Sequence, residues 1–90
     1  MSESKLQTKI IKWLKQNGYW AFKVMVANRN GIPDIVGCTP KGAFFAIEVK
    51  YGDNKASELQ KYNLNEVRTR QGIAILAYDL QTVIDALEGK

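Results

Sequence analysis

A turn-forming cluster, residues 39–42 (TPKG), separates two segments whose residues favour extended strands. The segments are Asp34–Cys38 and Ala43–Tyr51, and a turn this short predicts that they pair as an antiparallel hairpin. Asp34 and Glu48 lie equally far from the midpoint of the turn, so we expect their side chains to face each other. The sequence therefore predicts two neighbouring carboxylates at the open end of one hairpin.

The rest of the chain alternates between periodic apolar segments and Gly, Pro or Asn punctuation, which predicts one folded domain over residues 1–90. The apolar run before Tyr78 is typical of a strand covered on both faces. The order αβββαβα predicts an α/β fold with a mixed sheet flanked by helices. The predicted elements are a helix from Ser2 or Ser4 to Asn17-Gly18, strands Tyr19–Val26, Asp34–Cys38, Ala43–Tyr51 and Ile73–Tyr78, a helix over about Glu58–Arg70, and a last helix from Asp79 to Gly89.

Composition narrows the available chemistry. A single cysteine, Cys38, excludes an internal disulfide and a cysteine-cluster zinc site, and the chain has no histidine. Carboxylates and lysines must then carry any acid-base chemistry, and a bound metal must accept oxygen ligands, which favours Mg²⁺ or Mn²⁺. The net charge of +4 favours nucleic acid only weakly, because a solvated basic surface explains it equally well. Without a membrane-spanning run or a signal-peptide pattern, we expect an intracellular protein.

Side chains alternate along a strand, so Lys50 projects from the same face as Glu48. Two close carboxylates repel each other unless a cation neutralises them, which indicates a divalent metal between Asp34 and Glu48. A metal there would polarise a phosphodiester, and the ammonium group of Lys50 would orient the attacking water or stabilise negative charge. The residues therefore predict metal-dependent phosphodiester hydrolysis.

The alternative interpretation is that Glu48 and Lys50 form an ordinary charged strand face, with Asp34 a turn residue after Pro33. The remainder of the strand is apolar on both faces, however, and a charged pair at its end departs from the pattern of a buried strand. This departure favours a functional role for the pair.

The segment Ile32-Pro33-Asp34 followed by Glu48-Val49-Lys50 resembles the signature of the PD-(D/E)XK nuclease superfamily, and the closer resemblance is to its VRR-NUC branch. The resemblance implies a restriction-endonuclease-like core, in agreement with the element order above. It extends over nearly the whole chain, since Glu3 and Gln7 are similar to the first-helix Glu and Gln of that branch, Gly31–Asp34 to its Gly-hydrophobic-Pro-Asp motif, and Ser57–Gln60 to its Ser-x-x-Gln motif.

By this resemblance, Asp34 and Glu48 would bind Mg²⁺ or Mn²⁺ together with the backbone carbonyl of Val49. Lys50 would assist the attacking water. These four residues form the expected catalytic and metal-binding set.

Glu3 and Gln60 are further candidate catalytic residues. Glu3 falls on the inward stripe of the first helix, where it would bind a metal or a water, or would only interact with the helix dipole as a first-turn acid. Gln60 is expected to orient its neighbours or to contact substrate, and the same holds for Gln7. The alternative is that both are ordinary polar residues on the surfaces of their helices.

Arg29 is the best candidate for a nucleic-acid contact, because the loop at residues 28–30 leads directly into the strand that begins with Asp34. The aromatic residues lie in periodic segments and are interpreted as core or dimer contacts: Trp13, Trp20, Phe22, Phe44 and Phe45. The other candidate phosphate contacts, each equally explained as a solvated surface lysine, are Lys5, Lys9, Lys55 and Lys61.

These observations together predict an endonuclease that hydrolyses DNA with Mg²⁺ or Mn²⁺. Stand-alone members of the VRR-NUC branch resemble Holliday-junction resolvases, which implies branched DNA as substrate and a two-fold homodimer. Two alternatives stay open: a non-catalytic DNA-binding module of the same fold, and an interaction domain whose charges form a simple ion cluster. The preference for DNA over RNA and the number of metals are also left open.

Overall fold

The computed structural model describes residues 1–89, which form three helices and one four-stranded sheet. The order αβββαβα and the α/β class predicted from the sequence are confirmed. The elements are α1 (Glu3–Gln16), β1 (Trp20–Lys23), β2 (Ile35–Cys38), β3 (Phe44–Val49), α2 (Glu58–Thr69), β4 (Ile73–Ala77) and α3 (Leu80–Glu88).

The sheet is mixed, as predicted, with the strand order β1-β2-β3-β4. The first three strands are antiparallel neighbours, whereas β4 runs parallel to β3. In the hairpin, Ile35 pairs with Ile47, so the next position outward brings Asp34 opposite Glu48. The register expected from the turn is therefore the register of the folded hairpin.

Local side-chain bonds fix where the helices begin. The side chain of Ser2 accepts a hydrogen bond from the Lys5 amide at 3.2 Å, and that of Asp79 accepts one from the Thr82 amide at 2.8 Å. Each bond satisfies an amide that has no partner within the first turn of its helix. The last helix ends at Gly89, whose φ of 72° suits a residue without a Cβ.

Helices α1 and α3 cover one face of the sheet and enclose the core with it. On the opposite face, α2 packs against β3 and β4 and leaves the half formed by β1 and β2 open. The buried core residues include Leu6, Ile10, Leu14, Ile35, Phe45, Ile47, Val49, Ile75 and Val83. None of the helices within residues 1–89 has the length and apolar character needed to cross a bilayer.

The structure corrects the predicted ends of two strands. β1 stops at Lys23 rather than Val26, because its neighbour β2 begins only at Ile35 and leaves residues 25 and 26 without a paired strand. The last bond joins the Val24 amide to the Asp34 carbonyl at 2.8 Å. β3 likewise ends at Val49, two residues earlier than predicted.

The aromatic residues divide between core and surface. Phe45 is fully buried in the core, as expected, and Trp13 packs against the core from its edge. Trp20 and Phe22 are exposed, since they lie on the half of the sheet that α2 leaves open, and Phe44, the first residue of β3, is also exposed. For these three, the interpretation as core residues is wrong, and a role in dimer contact stays a prediction.

Candidate active site

Asp34 and Glu48 lie side by side at the end of the β2–β3 hairpin. Asp34 is half-buried, and its Oδ2 accepts a hydrogen bond from the Val49 amide at 2.8 Å. This bond across the hairpin holds the Asp34 carboxylate beside β3. Glu48 is only 1% exposed, although a carboxylate is among the groups least often buried.

The two oxygens of the Glu48 carboxylate have different environments. Oε2 accepts a hydrogen bond from Gln60 Nε2 at 3.1 Å and lies 3.5 Å from Lys50 Nζ. Oε1 is buried and has no hydrogen-bond partner among the described residues. A buried carboxylate oxygen without a partner costs free energy, so Oε1 is an acceptor that a ligand would satisfy.

Burial raises the pKa of Glu48 to about 7. The neighbouring Asp34 carboxylate adds to this rise through its charge and by sharing a proton, whereas the ammonium group of Lys50 lowers the pKa. Near neutral pH the acidic pair therefore retains a proton for part of the time. A cation bound at the pair would displace that proton and favour the doubly ionised state.

The donor set of this site fits a hard divalent cation. Asp34 and Glu48 supply carboxylate oxygens, and the open Glu48 Oε1 is the expected point of attachment. No cluster of three or more His, Cys, Asp and Glu side chains with metal-binding geometry occurs within residues 1–89. Mg²⁺ does not require one, since it commonly binds one or two carboxylates and keeps water or phosphate oxygens as its other ligands.

Gln60 lies at the site because it belongs to the first turn of helix α2. Its Oε1 accepts from the Ser57 amide at 2.8 Å, and its own amide donates to Ser57 Oγ at 3.1 Å, which completes a capping box. The remaining Nε2 group is thereby directed toward Glu48. The structure thus brings Gln60 into contact with Glu48, and a role in catalysis or substrate contact stays a prediction.

Glu3 does not join the other two carboxylates in a cluster within the described chain. Its Oε2 instead accepts from Asn54 Nδ2 at 3.3 Å, in the loop that follows β3. Tyr78 donates to the carbonyl of Asn54 at 2.7 Å, which fixes this loop from the other side. Gln7, one turn further along α1, is buried.

Each candidate phosphate-binding residue is exposed: Arg29, Lys5, Lys9, Lys55 and Lys61. Lys61 forms an ion pair with Glu58 at 3.5 Å on the surface of α2, an interaction of little energetic weight. Arg29 lies in the loop before Asp34, as predicted, and lines a cleft between that loop and α2. Binding of nucleic acid by these side chains stays a prediction.

Asn63 is a site-positioning residue that the sequence analysis missed. Its Nδ2 donates to the Gly31 carbonyl at 3.0 Å and to the Leu59 carbonyl at 3.1 Å, which ties the loop before Asp34 to α2. Gly31 has a φ of 75°, and an added Cβ would lie 2.6 Å from Leu59 Cγ. The signal was a polar residue on the inward stripe of α2, between Gln60 and Leu64.

Comparison with known proteins finds the same fold among solved structures. No protein-family model matches the sequence, and a search of curated proteins gave no relative. Among solved structures, a protein described as a VRR_NUC domain superposes with a TM-score of 0.81 and 22% identity, over 96% of this chain and 94% of the other. A second VRR_NUC domain protein gives 0.79 and 19%, over 98% and 86%.

The third structure is Hjc of Archaeoglobus fulgidus, described as a Holliday junction resolvase from an archaeal hyperthermophile. It superposes with a TM-score of 0.64 and 23% identity, over 84% of this chain and 67% of Hjc. At these identities the similarity shows a shared fold. The chain therefore has the VRR_NUC fold that its motifs led us to expect.

Proposed function

We propose that this chain is a metal-dependent endonuclease of the VRR-NUC branch, which hydrolyses phosphodiester bonds of DNA with Mg²⁺ or Mn²⁺. The observation that carries the proposal is the Asp34–Glu48 pair, with a buried and unsatisfied Glu48 Oε1 beside the ammonium group of Lys50. A buried carboxylate oxygen without a hydrogen-bond partner destabilises the folded protein unless a bound cation compensates its charge. The shared fold with VRR_NUC domains and with Hjc supports the same conclusion.

In this proposal Asp34 and Glu48 hold the cation, together with the backbone carbonyl of Val49. When bound, the cation would supply Lewis-acid stabilisation of the charge that develops on the phosphate. Lys50 is held near Glu48 at 3.5 Å, so its ammonium group would donate to a phosphate oxygen or orient the attacking water. Gln60 keeps Glu48 in place by occupying Oε2.

We further propose that the substrate is branched DNA, such as a four-way junction, and that the enzyme acts as a homodimer. Hjc, which shares the fold, is described as a Holliday junction resolvase. A junction needs two symmetric cuts, which two active sites related by a two-fold axis would supply. The exposed aromatic side chains on the open half of the sheet offer an apolar surface for self-association.

The test is incubation of the protein with supercoiled plasmid, linear duplex and a four-way junction, with Mg²⁺ and with EDTA. We expect cleavage that requires Mg²⁺ and is strongest on the junction. Asp34→Asn and Lys50→Ala should each lose cleavage, whereas Lys12→Ala, a change of an exposed lysine on α1, should retain it.

Two results would contradict the proposal. Equal cleavage by wild type and both site variants would assign the activity to a contaminant. Metal-independent binding of the junction without any cleavage would favour the alternative of a non-catalytic DNA-binding module.

A further inference from the structure

The loop that joins β1 to β2 carries two consecutive apolar side chains that face solvent. Met25 is 78% exposed and Val26 is 90% exposed, the highest values among the large apolar residues of the described chain. Single exposed apolar residues are ordinary on protein surfaces. Two in succession, in a loop that leads into the candidate active site, indicate a surface that contacts another molecule.

The loop is held to the active site. The Val24 amide donates to the Asp34 carbonyl at 2.8 Å, so the segment just before Met25 lies beside the residue that begins the site. At the other end, Asn63 holds the Gly31 carbonyl at 3.0 Å. The loop and Asp34 together line a cleft of about 400 Å³. A molecule bound at Asp34 would therefore meet the exposed tip of the loop.

The charges around the loop favour an anionic partner. Lys23 precedes the apolar pair and Arg29 follows it, and both are exposed. Every charged residue between Glu3 and Asp34 is a lysine or an arginine. In a dimer whose two-fold axis passed through this loop, the second copy would place a like-charged segment against it, which opposes self-association at this point. A polyanion with apolar faces, such as nucleic acid with unstacked bases, would complement both the exposed apolar pair and the basic residues beside it.

We propose that Met25 and Val26 form a wedge that inserts against bases where the DNA duplex is interrupted, with Lys23 and Arg29 on the flanking phosphates. Apolar side chains inserted between base steps unstack them, and the unstacking cost is lower where pairing is already broken. The wedge would therefore favour a branch point over continuous duplex. This inference rests on the proposed nuclease function and names the feature of the substrate that the site selects.

The test uses a four-way junction with 2-aminopurine at the branch, whose fluorescence increases when the base unstacks. The fluorescence is measured with Ca²⁺ in place of Mg²⁺ and at saturating protein, so that DNA binding is observed separately from cleavage. We expect wild type to raise the fluorescence at least two-fold and a Met25→Ser/Val26→Ser variant to lose most of that increase. Met25→Leu/Val26→Ile, which preserves the apolar surface, should retain it. Arg29→Gln should weaken binding about ten-fold without lowering the signal at saturation.

Cleavage of the same junction in Mg²⁺ tests the proposed function separately. If wild type cleaves but produces no fluorescence increase, or if the serine variant gives the full increase, the wedge is wrong and the nuclease proposal stands. If the increase occurs without cleavage, the nuclease proposal fails and the wedge stands as a DNA contact. A serine variant that becomes monomeric while wild type is dimeric would assign the loop to self-association and overturn the wedge.

Discussion

Gln60 donates a hydrogen bond to Glu48 at 3.1 Å and so joins the first turn of α2 to the inner strand β3 of the sheet. The same side chain accepts the Ser57 amide at 2.8 Å, so one amide group both closes the helix cap and orients a buried carboxylate. Because Glu48 Oε2 is occupied in this way, Oε1 is the oxygen left for a ligand. The cap of α2 and the geometry of the candidate metal site are therefore coupled.

Replacing Gln60 with leucine should weaken both metal binding and the fold. Loss of a residue that orients a metal ligand typically costs 10- to 100-fold in metal affinity or activity. We expect the Mg²⁺ concentration that half-saturates cleavage to rise about 10-fold, with the free energy of unfolding lowered by about 2 kcal/mol through the lost half of the capping box and the lost hydrogen bond to the buried Glu48 carboxylate. Cleavage titrations with Mg²⁺ and urea unfolding provide the two measurements.

Ser57→Ala is the matched control for this prediction. It removes the other half of the same capping box but leaves the bond between Gln60 and Glu48 intact. Its stability should fall by about 1 kcal/mol, from the cap alone, while its Mg²⁺ dependence stays that of wild type. Equal Mg²⁺ dependence in both variants would show that Gln60 acts on the helix alone.

The raised pKa of Glu48 predicts how stability depends on pH in the absence of metal. The ordinary pKa of a glutamate side chain is 4.5, and that of Glu48 in the folded chain is about 7. Between these values the folded state holds more protons than the unfolded state, so the free energy of unfolding decreases as pH rises through this window. The loss is at most about 3 kcal/mol and should be complete above pH 7.

Unfolding by urea in EDTA between pH 4.5 and 8 measures this loss, with Glu48→Gln as the comparison. The variant should be nearly flat over the same range, and Mg²⁺ at pH 8 should raise the Tm of wild type alone. Hydrogen bonds from Thr82 lower the pKa of Asp79 from 3.8, so that group acts below this window. The same pH slope in wild type and variant would contradict the assignment to Glu48.

The pairing of the hairpin was predictable because residues close together in the sequence determine it. The turn length and the two-residue period of a strand fix which residues face each other, and these place Asp34 opposite Glu48. The contact of Gln60 with Glu48 depends on how α2 lies on the sheet. No spacing within α2 reports that distance, and only the resemblance of the Ser-x-x-Gln motif pointed to it.

The β1–β2 loop was predicted incorrectly for a physical reason. The apolar residues up to Val26 favour an extended strand by local propensity, but a strand continues only while a neighbour offers hydrogen-bond partners. The neighbouring strand begins only at Ile35, which the prediction for β1 did not take into account. The exposure of Met25 and Val26 follows from that early end of the ladder.

Gly31→Ala should destabilise the protein more than another glycine substitution at a similar backbone angle. Gly31 has a φ of 75° and its added Cβ would lie 2.6 Å from Leu59 Cγ, whereas Gly52 has a φ of 63° and open space around it. We expect a loss of about 1 kcal/mol for Gly52→Ala, from the left-handed backbone alone, and about 2–4 kcal/mol for Gly31→Ala. Urea unfolding of both variants measures the difference, and equal losses would contradict a packing role for Gly31.

Trp20→Ser should convert the proposed dimer into a monomer. Trp20 is 66% exposed on the edge strand β1 and packs edge-to-face on Phe22, with their ring centroids 5.3 Å apart. Exposed aromatic pairs of this kind supply much of the binding energy at protein interfaces. Sedimentation velocity at assay concentrations should show a dimer for wild type and a monomer for Trp20→Ser. On a four-way junction, the monomer should produce single nicks rather than paired cuts.

Tyr62→Ser is the control for this last prediction, because Tyr62 is also a large exposed aromatic, at 52%, but lies on α2 rather than on the open half of the sheet. It should sediment as wild type does and should retain paired cuts. If wild type itself is a monomer at assay concentrations, the dimer is wrong, and the exposed pair on β1 must then serve another contact. If both variants dissociate, the interface includes α2, and its cleft beside Val67 and Arg70 becomes the surface to test by substitution.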